Sequence, residues 1–141
     1  MKQLRRIHCL RNEKGISLAE FALILPVFLA ILLGIVDLGQ GFNTYLGMLN
    51  ATREGVIWLA NNPDDLAGMN ARISTELARV KLTLEHVNST RVPEQASYDS
   101  GDIITLRLEY SYDLLFGALT GLPSLTLRTE NTMVVPPSVI P

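Results

Sequence analysis

One cysteine, Cys9, and two histidines, His8 and His86, are all that 141 residues offer to thiol, redox or transition-metal chemistry. A single cysteine excludes a disulfide framework within the chain. No paired-histidine spacing and no cysteine cluster provides a zinc site. There is no Gly-x-Ser-x-Gly elbow and no phosphate-binding glycine loop. The chain therefore reads as a non-enzyme: no catalytic residue, no cofactor site and no metal ligands are expected. Asp64 and Asp65 are the nearest thing to paired acid/base carboxylates, and they read more simply as the start of a helix. Basic charge is also scarce where a nucleic-acid surface would need it. Beyond residue 15 there are seven Lys or Arg against thirteen Asp or Glu, so nucleic acid is not an expected partner.

What is present is a segregated charge pattern around one long apolar run. Residues 1–15 carry Lys2, Arg5, Arg6, Arg11 and Lys14 against Glu13 alone. From Phe21 to Val36 no charged side chain occurs, and with Ile16 to Ala19 the stretch is broken only by Ser17, Glu20, Pro26 and Gly34. At about 1.5 Å per residue it matches a hydrocarbon core of about 30 Å. It is apolar all round, which suits lipid better than a soluble core. The basic start predicts a cytoplasmic N-terminus and an exported C-terminal part. Pro26 is tolerable in such a span. Glu20 needs a reason, because an acid inside a bilayer-spanning helix costs roughly 2–3 kcal/mol.

Helical periodicity continues past the span through Phe42, Tyr45, Leu49, Val56 and Ala60, and Asn61-Asn62-Pro63 stops it. Arg53 and Glu54 fall on the polar side. Asp64 and Asp65 then sit as cap and first-turn carboxylates of a second, amphipathic helix. Its stripe is Leu66, Met69, Ile73, Leu77, Val80, Leu84 and Val87, with Lys81 and Glu85 paired on the other side. Trp58 is expected to pack in the core. Residues 88–100 read as a polar loop. Ile104 to Tyr110 and Leu125 to Thr129 alternate as half-buried strands, separated by a leucine-rich segment too broken by Gly117, Gly121 and Pro123 to span a membrane. The expected fold is α+β: a long N-terminal transmembrane helix running into a domain with a second helix and a small antiparallel sheet of about two strands, which covers that helix. The boundaries are a leader at 1–15, a span at 16–37 and an exported domain at 38–141.

The run Gly15-Ile16-Ser17-Leu18-Ala19-Glu20-Phe21-Ala22-Leu23-Ile24-Leu25-Pro26 resembles the N-terminus of TadE-like proteins of tight-adherence (Flp) pilus systems. Asn50-Ala51-Thr52-Arg53-Glu54-Gly55 is similar to that family's Asn-Ala-Ala-Arg-Glu-Gly stretch, with Thr52 in place of the second alanine. The resemblance implies a minor pseudopilin in a bacterial cytoplasmic (inner) membrane. A prepilin peptidase would cut between Gly15 and Ile16, Phe21 would help it recognise the site, and Glu20 would meet an N-terminal amine during assembly. Other pseudopilins, the inner-membrane pilus assembly machinery and membrane lipid would be the partners. Glu13, two places before the glycine, is an acid in an otherwise basic leader end. Two other readings stay open on the residues alone. One is an unprocessed bitopic scaffold of a secretion machine. The other is a secreted binding module freed by signal peptidase after Gly41, starting at Phe42.

Overall fold

The computed structural model describes residues 13–117 and 121–137, with side chains from Gly15 onward. The expected leader therefore lies mostly outside the described residues. Helix α1 spans Glu13–Asn61, α2 spans Leu66–Arg79, and a short 3-10 turn at Leu84–His86 leads into strands β1 (Asn88–Val92), β2 (Ile103–Asp113) and β3 (Ser124–Val134). The class is α+β, and among the described residues one helix is long and apolar enough to cross a membrane.

α1 runs unbroken through Pro26. It stops where Asn61 and Asn62 fold back: their side-chain amides donate to the carbonyls of Ile57 and Trp58 at 2.8 and 3.1 Å. These bonds satisfy carbonyls that a helix end leaves without partners. Asp65 then caps α2, its Oδ1 accepting from the Gly68 amide at 2.8 Å. Its other oxygen accepts from the Trp58 indole at 3.1 Å, and the Arg72 guanidinium lies 4.5 Å above the Trp58 ring. Trp58 is thus a half-buried clasp between the two helices. Asp65→Ala removes cap and clasp together and is expected to cost about 1–2 kcal/mol. Urea unfolding of the micelle-bound chain, followed by Trp58 fluorescence, measures it.

α2 is shorter than its apolar stripe. Met69, Ile73 and Leu77 are buried on one face, but Lys81 takes a left-handed backbone with φ 60. The amides of Lys81 and Leu82 turn back onto the carbonyls of Ala78 and Leu77 at 3.1 and 3.0 Å. This closes the helix end. Leu84 and Val87 still reach the core, from a 3-10 turn and a strand approach. The expected Lys81–Glu85 helix pair does not form, since neither residue is in α2.

The sheet has three strands, not two, in the order β1-β2-β3, antiparallel throughout. β1 occupies part of the expected polar loop. Its residues are largely exposed, and it is a strand because β2 pairs it from Asn88 opposite Glu109 to Val92 opposite Thr105. Across β2 and β3, alternation sorts the faces. Ile104, Leu106, Leu108, Leu127 and Thr129 point inward. On the outer face, Arg107 stands opposite Glu130 and pairs with it at 2.8 Å, while Arg128 pairs with Glu109 at 3.4 Å.

The sheet covers α1 rather than α2. The side of α1 that receives both is built largely from small residues: Gly41, Thr44, Gly47, Ala51, Thr52 and Gly55 are buried, with Met48, Val56 and Leu59 beside them. Phe42 and Tyr45, expected on the packed face, are exposed. The Thr52 hydroxyl donates to the Met48 carbonyl and accepts from the Thr129 hydroxyl, both at 2.7 Å, so it is satisfied though buried.

Candidate functional site

The residues singled out in the sequence fall into two groups on one helix. Gly15, Ile16, Glu20, Phe21 and Pro26 lie on the first turns of α1, all exposed. The apolar surface here is large: Phe21 is 60% exposed and Leu23 79%. No other part of the described chain covers this stretch, so it depends on lipid or another helix for burial. The Gly15–Ile16 bond lies inside the helix. A protease needs extended backbone there, and glycine lowers the cost of unwinding by about 1 kcal/mol relative to alanine. Ile16 and Glu20 stand four residues apart and hence on the same face.

The second group, Asn50, Ala51, Arg53, Glu54 and Gly55, lies about 50 Å further along α1 at the usual rise. The two groups do not meet. Ala51 and Gly55 are packed in the core, whereas Asn50, Arg53 and Glu54 face outward. Gly55 is a contact point: a methyl on it would lie 2.7 Å from Leu106 Cδ2 and 2.8 Å from Ile73 Cγ1. Sheet and α2 close together over this residue.

Between the groups sits Asp37, which the sequence pattern marks only as the end of the span. It is 3% exposed. Its Oδ1 accepts from the Leu115 amide at 2.9 Å and its Oδ2 from the Phe116 amide at 2.7 Å. Two charge-assisted bonds compensate the carboxylate for lost water. They also pin the β2–β3 connection to the helix at the first charged position after the apolar run. The signal was present in the sequence, an acid interrupting a helical apolar pattern, but its partners are backbone amides 78 and 79 residues away.

Tyr112 lies over the same region, with its ring edge 3.6 Å from where a Gly41 methyl would stand. Burial pushes its hydroxyl pKa above the usual 10.0, and the negative charge of Asp37 and then Tyr110 add to the rise. The folded chain therefore holds this proton more tightly than the unfolded chain does. The corresponding stability is full below pH 10.0 and is lost as pH rises from there through the pKa of folded Tyr112. Asp37→Asn is expected to lower the Tyr112 pKa while leaving it raised by burial. Ultraviolet titration, assigned with Tyr112→Phe, reads the shift.

Among the described residues no group of three or more His, Cys, Asp or Glu is placed to hold a metal ion. With this geometry in place, comparison with known proteins adds one finding. Residues 15–56 match the model of the TadE-like protein family. The match begins at Gly15 and ends just past Gly55, so it includes both groups of residues and lies wholly within α1. No curated protein and no solved structure matches the chain.

Proposed function

We propose that this chain, whose α1 carries the TadE-like segment, is a minor pseudopilin of a Tad pilus system: a membrane-anchored structural subunit, without catalytic activity of its own, matured by a prepilin peptidase that cuts between Gly15 and Ile16. The observation that carries the reading is the position of Glu20. It is an exposed acid in an otherwise apolar helix face, four residues from the amine that cleavage would create on Ile16. A carboxylate at lipid depth is costly alone and far less so beside a cation. It also complements the positive end of the helix that cleavage leaves at Ile16. The partner amine can be the chain's own or that of a neighbouring pseudopilin, so the same charge favours lateral assembly in the membrane.

The basic residues that precede Gly15 favour a cytoplasmic N-terminus, with the domain beyond Asp37 on the opposite side. Release of a soluble module after Gly41 fits less well. Gly41 is buried inside α1, and the cut would separate the domain from Asp37, which anchors its β2–β3 connection.

Glu20→Gln keeps the shape and removes the charge. The variant is expected to be inserted and cleaved normally but to lose at least ~10-fold in co-purification with its pseudopilin partners and in pilus output, about 1.4 kcal/mol of assembly energy. Normal pilus output from Glu20→Gln, at normal protein level, would contradict the role given to this residue.

A further inference from the structure

We propose that Leu114 and Leu115 after β2 and Leu125 at the start of β3 form, with Leu38 and Phe42 of α1, a lipid-facing foot that rests the domain on the membrane surface from which α1 emerges; the inference builds on the membrane-anchored reading above. Four observations support it. First, from Leu114 to Leu127 there is no charged side chain, although charged residues flank it at Asp113 and Arg128. Second, Asp37 fastens Leu115 and Phe116 to α1 at the first charged position after the apolar run. Third, large apolar side chains crowd the same level and are turned outward: Leu38 is 74% exposed, Phe42 63% and Leu115 60%. Fourth, Leu38, Phe42, Leu114 and Leu125 line one shallow, almost wholly apolar groove of about 250 Å³.

Depth identifies the occupant. A helix entering the hydrocarbon at Ile16 leaves it near Val36, at about 1.5 Å per residue across about 30 Å. Phe42 lies five residues beyond Asp37, hence ~7 Å further along the axis. The headgroup layer on each side is about 5–8 Å thick. The exposed leucines and Phe42 therefore sit at headgroup level, where apolar side chains without charge are favoured over water. The buried, doubly bonded Asp37 supplies the attachment without presenting a bare carboxylate to that layer. The foot gives the domain a second point of support beside α1 and so fixes its tilt against the bilayer.

The test places an environment-sensitive nitrobenzoxadiazole probe on single cysteines in the full chain, in a Cys9→Ser background, reconstituted in phosphatidylcholine nanodiscs. Leu115→Cys reports the foot, Leu29→Cys the span and Ser100→Cys the far end of the domain. The expected result is a blue shift and loss of emission with headgroup-region spin-labelled lipid at Leu115, quenching by acyl-chain spin-labelled lipid at Leu29, and neither at Ser100. A Leu115 probe that behaves like Ser100, while Leu29 is quenched, overturns the foot and leaves the anchor standing. An unquenched Leu29 overturns both. A Leu115 probe shielded only as the protein-to-lipid ratio rises, without quenching by lipid, assigns the patch to a second copy of the chain and overturns the proposal.

Discussion

Replacing Gly15 by tryptophan is expected to leave the leader attached: the chain accumulates in the membrane at its precursor mass, and pilus output falls with it. The reason is local. The Gly15–Ile16 bond lies inside the exposed first turns of α1, so a peptidase that cut it would have to unwind this stretch and bring its catalytic groups against the backbone. Glycine is, proline apart, the easiest residue to unwind, and it is the only one without a side chain in the way. An indole there displaces the scissile bond, and a misplacement of ~1 Å costs about 10²-fold in rate. Gly15→Ala, with one methyl and a gain in helix propensity of about 1 kcal/mol, should slow maturation to an intermediate degree. Pulse-chase labelling with the peptidase co-expressed separates these cases, because precursor and mature chain differ by the leader's mass. Maturation of Gly15→Trp at the normal rate would remove the cleavage argument.

The second large effect is expected at Gly55, and it concerns folding alone. Gly55→Leu is expected to destabilise the domain by about 3 kcal/mol, the upper end of ordinary overpacking. A branched side chain would enter a space already closed by Ile73 on one helix and Leu106 on the sheet, both fully buried. Neither tip can swing toward solvent, so α2 and the sheet must separate. Gly47 makes the same point at the end of α2, where a methyl would meet Val80 Cγ1 at 2.5 Å. Gly39 is the control: nothing lies within 4 Å of a methyl there, and Gly39→Ala should be neutral or stabilising by up to about 1 kcal/mol. Urea unfolding in micelles, read through the single tryptophan, compares Gly55→Leu and Gly39→Ala with the unchanged chain. Equal midpoints for Gly55→Leu and Gly39→Ala would show that α1 does not seat the two layers as described.

Gly47 and Gly55 also explain what the sequence made legible and what it did not. The run from Ile16 to Asn61 was readable as one helix because its apolar stretch, periodic continuation and Asn61-Asn62-Pro63 stop all agree. The face that α1 buries was not. Hydrophobic periodicity gives weight to Phe42 and Tyr45, whereas the packed face uses Gly41, Thr44, Gly47, Ala51 and Gly55, whose contribution is closeness rather than area. The same weighting places the sheet on α2 instead of α1. The C-terminal end of α2 is not legible, because Leu84 and Val87 continue an apolar spacing that the backbone at Lys81 has already abandoned. β1 leaves no mark in the pattern, because Asn88-Ser89-Thr90-Arg91-Val92 has no apolar alternation; the β2 ladder makes it a strand. At the N-terminal site, the i,i+4 relation of Ile16 and Glu20 was readable from spacing. The Asp37 anchor was not, since amides at Leu115 and Phe116 leave no mark on side-chain patterns.

The proposed maturation at Gly15 is the event on which assembly as a pseudopilin depends. Intact mass and N-terminal sequencing of the protein extracted from cell membranes test that directly. A chain beginning at Ile16 is the predicted result. A chain beginning at Met1 would contradict processing and leave an unprocessed membrane scaffold, and one beginning at Phe42 would contradict the anchor itself.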